Sequence, residues 1–171
     1  VPNQDGAGTV DAIGAEVTGL SVGDRVWLGI SGWQRPLGGT AQEFTIALAD
    51  RVFPLPAEAD FDIGASLGVP AVTAHRALTV GELLPDRLSR GSLAGATVLV
   101  AGGAGAVGHA AIQLARWAGA TVLTTVSSEE KAVLARAAGA HHAINYRDED
   151  AVAQVRAITP AGVDHVVEVA A

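Results

Sequence analysis

The sequence has no cysteine, no methionine and a single lysine, Lys131, and aromatic residues make up only 4% of its 171 positions. Without cysteine there are no disulfides, no thiolate zinc ligands and no cysteine nucleophile. That composition fits a reducing compartment, and a cytoplasmic location is expected. No apolar run approaches the ~18 residues of a membrane span. No basic segment followed by an apolar core marks a signal peptide. Charge is sparse as well, at 17% against 49% hydrophobic residues. A disordered, solvating chain needs the opposite balance. Lys and Arg number 11 and Asp and Glu 18, for a formal net charge of −7. With that sign and no basic run, neither nucleic acid nor an anionic membrane is an expected partner. The missing initiator methionine is matched by an end, Val166-Val167-Glu168-Val169-Ala170-Ala171, that lies inside a strand-like run. The chain therefore reads as an internal fragment of a longer protein.

What the sequence does have is glycine, 21 residues of it. Through residues 1–56, glycines punctuate short apolar runs, which predicts strands over 8–13, 24–28 and 40–46. Pro54 and Pro56 read as a break. From about Asp60 the apolar period lengthens: Ile63, Leu67, Val72 and Leu78 predict helix, interrupted at Pro70. Residues 84–95 read as a surface loop. Then strand and helix alternate: strands over 97–101, 121–126, 142–145 and 164–169, helices over 105–117, 128–138 and 148–158. Ser127 and Glu130 suggest a capping box, and Asp148-Glu149-Asp150 an acidic first turn. This spacing predicts βαβ units around a parallel sheet buried on both faces. The fold class is α/β, with a β-rich part followed by the first part of a doubly wound sheet.

The functional signal is Val98-Leu99-Val100-Ala101-Gly102-Gly103-Ala104-Gly105-Ala106-Val107-Gly108, which contains Gly103-x-Gly105-x-x-Gly108. In a glycine-rich chain that spacing alone is weak. Between a buried strand and an amphipathic helix it is a dinucleotide-binding fingerprint. The backbone must turn sharply and approach a pyrophosphate closely, and the helix N-terminus offers unpaired N–H groups to the anion. Gly108 is expected to let the helix pack against the strand. The competing reading is a tight turn with no ligand.

The end of the second strand decides which dinucleotide is bound. NAD sites place an acid there for the ribose 2′-OH. Here the run is Thr124-Thr125-Val126-Ser127-Ser128, with Lys131 following. Ser127, Ser128 and Lys131 can hold a 2′-phosphate, which favours NADPH. The plainer alternative is that the serines cap the helix and Lys131 is solvated.

These stretches resemble the medium-chain dehydrogenase/reductase superfamily, and within it the zinc-independent quinone oxidoreductase, or zeta-crystallin-like, branch. Besides the glycine loop with Gln113 and Arg116, the resemblance rests on several stretches. They are Asp5-Gly6-Ala7-Gly8-Thr9-Val10, Gly23-Asp24-Arg25-Val26, Gly39-Thr40-Ala41-Gln42-Glu43-Phe44, Gly68-Val69-Pro70-Ala71-Val72-Thr73-Ala74 and Gly139-Ala140 through Ile144-Asn145-Tyr146-Arg147. Ala106 stands where glycine is commoner, and Ala101 where histidine is common. The resemblance implies a partial GroES-like catalytic domain over 1–72 and a partial Rossmann NADP-binding domain over 73–171, with the cofactor in the cleft. It implies hydride transfer from NADPH to a quinone. The other readings are an enoyl or alkenal reductase of the same fold, a non-catalytic, crystallin-like nucleotide binder, and RNA binding, against which the net charge argues.

The resemblance also bears on individual residues. Zinc-dependent relatives carry a histidine before the opening acid, where this chain has Gln4 before Asp5. The five histidines show no ligand spacing and read as helix or loop residues. By position, Lys131 and Tyr146 match residues that hold the 2′-phosphate, and Thr73 one near the nicotinamide. The implied cofactor-binding set is thus Thr73, Gly103, Ala104, Gly105, Ala106, Val107, Gly108, Ser127, Ser128, Lys131 and Tyr146. No catalytic acid is named; Asp5 is the nearest polar candidate and equally a structural turn acid. Family members are often dimers or tetramers.

Overall fold

The computed structural model describes residues 2–32, 38–82 and 84–169. Val1, Ala170 and Ala171, the ends behind the fragment expectation, lie outside them. The chain divides into two compact units, Val1–Val72 and Thr73–Ala171, with the division inside a helix.

The first unit holds an antiparallel sheet of β1 (Gly6–Thr9), β2 (Arg25–Leu28) and β3 (Val52–Pro54), in the order β1-β2-β3. Along β2, Val26 and Leu28 are buried, while Trp27 stacks on Phe53 across the pair at 4.6 Å. Pro54, read from sequence as a break, ends an edge strand, where its missing N–H leaves no interior ladder bond unmade. The strand expected over 40–46 does not form. Two local bonds and one distant one hold that stretch instead: Gln42 N donates to Thr40 O at 2.8 Å, its Nε2 donates to Gly39 O at 2.9 Å, and the Thr40 hydroxyl donates to Asp5 O, 35 residues earlier. Such turns compete with ladder formation.

Helix α1 (Phe61–Ala77) breaks at Gly68, with φ −30° and ψ −107°. Pro70 follows, at the first turn of the resumed helix, where a proline lacks nothing that would be bonded. The freed N–H of Val69 donates to Asp5 Oδ2 at 2.7 Å, and Ile30 N donates to Oδ1 at 3.2 Å. A Cβ at residue 68 would overlap the carboxylate. Asp5, the residue just before β1, therefore acts as the cap.

The second unit alternates β4 (Thr97–Val100), α2 (Ala106–Trp117), β5 (Thr121–Val126), α3 (Glu129–Ala137), β6 (His142–Asn145), α4 (Ala151–Ile158) and β7 (His165–Val167). The sheet is parallel throughout, in the order β6-β5-β4-β7. In chain order this is 3-2-1-4, the opening of a doubly wound sheet, whose direction of winding reverses between β4 and β7. Val98, Val100 and Val122 pack with Ile112, Ala111 and Ala115 of α2 and with Ala132 and Ala135 of α3. Alanine on the buried helix faces lets backbone and sheet approach closely, which gives the alanine-rich composition a structural use.

Three local expectations shift. The cap of α3 is Ser128, not Ser127, its hydroxyl accepting from Lys131 N at 3.3 Å. Helix α4 starts at Ala151, later than expected, because Asp150 stays outside it and accepts from Val152 N and Ala153 N, both at 3.1 Å. His142 and His165 lie in strands, as the strands expected over 142–145 and 164–169 imply and against their reading as helix or loop residues, and His165 Nε2 sits 2.8 Å from Ala77 O. Among the described residues, no helix is long and apolar enough to cross a membrane.

Candidate cofactor-binding site

The turn after β4 is made by Gly102, whose φ of +67° disfavours any side chain. Gly105 N donates to Gly102 O at 2.9 Å, and Gly105 becomes the N-cap of α2 without a side-chain cap. The first helical bond runs from His109 N to Gly105 O at 2.8 Å. The N–H groups of Ala106, Val107 and Gly108 precede it, at the helix end whose amides have no intrahelical acceptor. Gly105 is exposed, and a Cβ there would meet only Gly102 O, at 3.3 Å. This leaves an open surface of backbone donors at the positive end of a twelve-residue helix, the arrangement that suits a pyrophosphate.

The two flanking glycines are needed for packing. Gly103 is buried, and its N donates to Thr125 O at 3.2 Å. A Cβ at residue 108 would overlap Gly102 O and lie 2.9 Å from its carbonyl carbon. Gly108 thus lets the helix pack beneath its own loop, and not, as the motif suggested, against the strand. Gly102 was not in the expected binding set; its position just past a strand, as the first of two glycines, is the signal that marks it.

At the end of β5, Lys131 Nζ donates to Ser127 Oγ at 2.9 Å, while Ser128 caps the helix. Glu129 points to Arg136 instead, at 2.6 Å, so the nearest acid is paired along its own helix. Tyr146 follows β6, its N donating to Val126 O at 3.1 Å and its side chain half-exposed. Ser127, Ser128, Lys131 and Tyr146 therefore gather at the carboxyl ends of β5 and β6. The glycine loop sits at the same end of the sheet, after β4. Thr125 ties the two, bonding Gly103 N through its carbonyl and approaching Gly102 N with Oγ1 at 3.4 Å. Ser127 is two residues further on, about 7 Å along a strand. Thr73 lies exposed on α1, and no hydrogen bond among the described residues joins it to this cluster.

His141, beside the opposite end of β5, accepts from Val122 N at Nδ1 (2.8 Å) and has Arg116 Nη1 at 2.6 Å from Nε2. Desolvation, then the Arg116 guanidinium and His142, hold it below the ordinary histidine range. Among the described residues, no group of three His, Asp or Glu is placed to hold a metal ion. A cavity of about 530 Å³ lies within the first unit, bordered by Val10, Ile13, Leu28, Phe44 and Ile46, with no glycine-loop residue in its lining.

Two protein families divide the chain: the alcohol dehydrogenase GroES-like domain matches residues 1–57, and the zinc-binding dehydrogenase family residues 106–171. The chain belongs to the medium-chain dehydrogenase/reductase superfamily. Its relatives narrow this. Quinone oxidoreductase of Mus musculus is 36% identical over 173 residues, covering 99% of this chain and 48% of the relative. A 2-haloacrylate reductase of Burkholderia sp is 36% identical, covering 95% and 46%. A mycobacterial protein solved in complex with NADPH superimposes with a TM-score of 0.78 at 33% identity, covering 96% of this chain and 48% of that one. The chain lies in the quinone oxidoreductase branch, combining a GroES-like antiparallel sheet with a Rossmann-like parallel one. It spans about half the length of the curated relatives it matches.

Proposed function

We propose that the natural protein is an NADPH-dependent, zinc-independent oxidoreductase that reduces quinones. The observation that carries the reading is the glycine loop's open donor surface, with the Lys131–Ser127 pair near it on the same sheet edge. A pyrophosphate is neutralised by backbone N–H groups and the helix dipole, and a 2′-phosphate by an ammonium already held in place. The end of β5 reads Val126-Ser127-Ser128, without a carboxylate to prefer a 2′-hydroxyl. Tyr146, beside this corner, is proposed to hold the 2′-phosphate together with Lys131, and Thr73 to serve the nicotinamide end. When bound, the cofactor supplies the hydride; the protein's task is to orient it and exclude water. The mycobacterial relative's NADPH complex supports the cofactor class.

A second reading, reduction of an activated alkene, is favoured by the similarity to 2-haloacrylate reductase. The test is NADPH oxidation by the full-length natural protein with a benzoquinone and with an α,β-unsaturated carbonyl. Faster turnover of the quinone is expected. Preference for the alkene would move the assignment to the second reading. Tight NADPH binding with no turnover on either would leave a nucleotide-binding protein without catalysis.

A further inference from the structure

Gly103 is the first glycine of the fingerprint, yet its neighbours are not those of a residue that faces a ligand. It is buried between α2 and β5. A Cβ there would overlap Thr124 Oγ1 outright and come within 2.7 Å of Ile112 Cδ1 and 3.0 Å of Thr124 Cβ. Thr124 is itself fully buried, and its hydroxyl is fixed by donating to Val100 O at 2.7 Å, the last residue of β4. Rotating the hydroxyl away would break that bond inside the core and leave a buried hydroxyl without its acceptor. The next residue, Thr125, takes Gly103 N on its carbonyl.

We infer that Thr124 is a positioning residue for cofactor binding. Its anchored hydroxyl occupies the space of the side chain that residue 103 lacks. It thereby sets how deeply the glycine loop seats on the sheet, and so where the free N–H groups of α2 point. Thr124 touches no cofactor atom in this scheme; it acts through Gly103. The inference deepens the dinucleotide reading and rests on it. It also separates two functions along one strand. Thr124 and Thr125 set the loop, which faces the pyrophosphate common to NADPH and NADH. Ser127, with Lys131, reads the 2′-phosphate that only NADPH carries.

The test is a double-mutant cycle on the full-length protein, titrated with both cofactors. Gly103→Ala should weaken NADPH and NADH alike, by about tenfold or more, since a shifted loop loses donors to both. Thr124→Ala in that background removes the overlapping oxygen and should recover binding to within about threefold of Thr124→Ala alone. Thr124→Val keeps the bulk and should not rescue. The ratio of NADPH to NADH affinity should stay constant through the series, which a defect at Lys131 would not allow. Thermal melts without ligand accompany each variant. If Gly103→Ala alone does not fold, the pair with Thr124→Ala should fold and bind where the pair with Thr124→Val does neither. Unchanged binding by folded Gly103→Ala, or equal behaviour of the two pairs, overturns the inference. A wild-type protein that binds neither nucleotide overturns the dinucleotide reading itself, and the overlap would then show only in the melts.

Discussion

Replacing Lys131 with alanine tests the cofactor reading most directly. The ammonium is exposed and held against Ser127 Oγ at 2.9 Å, so truncation removes a charge without opening a cavity. A unit charge at about 4 Å from another contributes about 1 kcal/mol in a water-like medium. A phosphate monoester carries nearly two charges at neutral pH, and a charge-assisted hydrogen bond contributes about 1.5–3 kcal/mol. Screening at an exposed site pulls the result toward the lower end. Lys131→Ala should therefore weaken NADPH by about 1.4–2 kcal/mol, or about 10- to 30-fold in Kd. NADH, which has only a hydroxyl there, should change by less than about twofold. Lys131→Arg should keep most of the NADPH affinity, and the wild-type preference should shrink as salt rises. The assay is titration of reduced-nicotinamide fluorescence on the full-length protein at two ionic strengths. Equal losses for the two cofactors would refute the 2′-phosphate assignment, since nothing else distinguishes them.

Two other perturbations concern stability. Asp5→Ala removes the acceptor of Val69 N and Ile30 N and should lower unfolding stability by about 2–4 kcal/mol, read from urea midpoints, with Asp5→Asn in between. A midpoint equal to wild type would show that water replaces both bonds. His141 is held below the ordinary histidine value, so the unfolded chain takes up its proton first as pH falls. Stability should therefore drop below about pH 6.5 and continue falling until the folded form protonates. His141→Gln should flatten melting temperature against pH in that range, and an unchanged slope would assign the effect to other groups.

The second unit was legible because two periods change cleanly there. Continuous apolar strands such as Val98-Leu99-Val100 alternate with helices whose buried stripe repeats every 3.6 residues. The strands are set by burial, so they appear at or near the expected positions. Helix starts were less legible, because Ser127 and Ser128, or Asp148 and Asp150, are equivalent caps in one dimension. Only the backbone geometry chooses between them. In the first unit, the glycine-bounded run over 40–46 looked like a strand, but Gln42 bonds the nearby Gly39 carbonyl and Thr40 the distant Asp5 carbonyl. At the cofactor corner, the residue types pointed to Lys131 and Ser127. The part played by Thr124 was invisible, because it depends on a neighbour 21 positions away, Gly103, having no side chain.

The bond from Val69 to Asp5 spans 64 residues of chain. Until both ends are in place, the resumed half of α1 starts with an amide that has neither a helical partner nor a cap. Closing so long a loop costs entropy that local helix formation does not return. Strand β1, which Asp5 immediately precedes, must therefore be set before this half-helix gains its full stability. One carboxylate thus couples two distant stretches: loosening the residues around Asp5 should also loosen the start of the resumed half-helix, 64 residues further on.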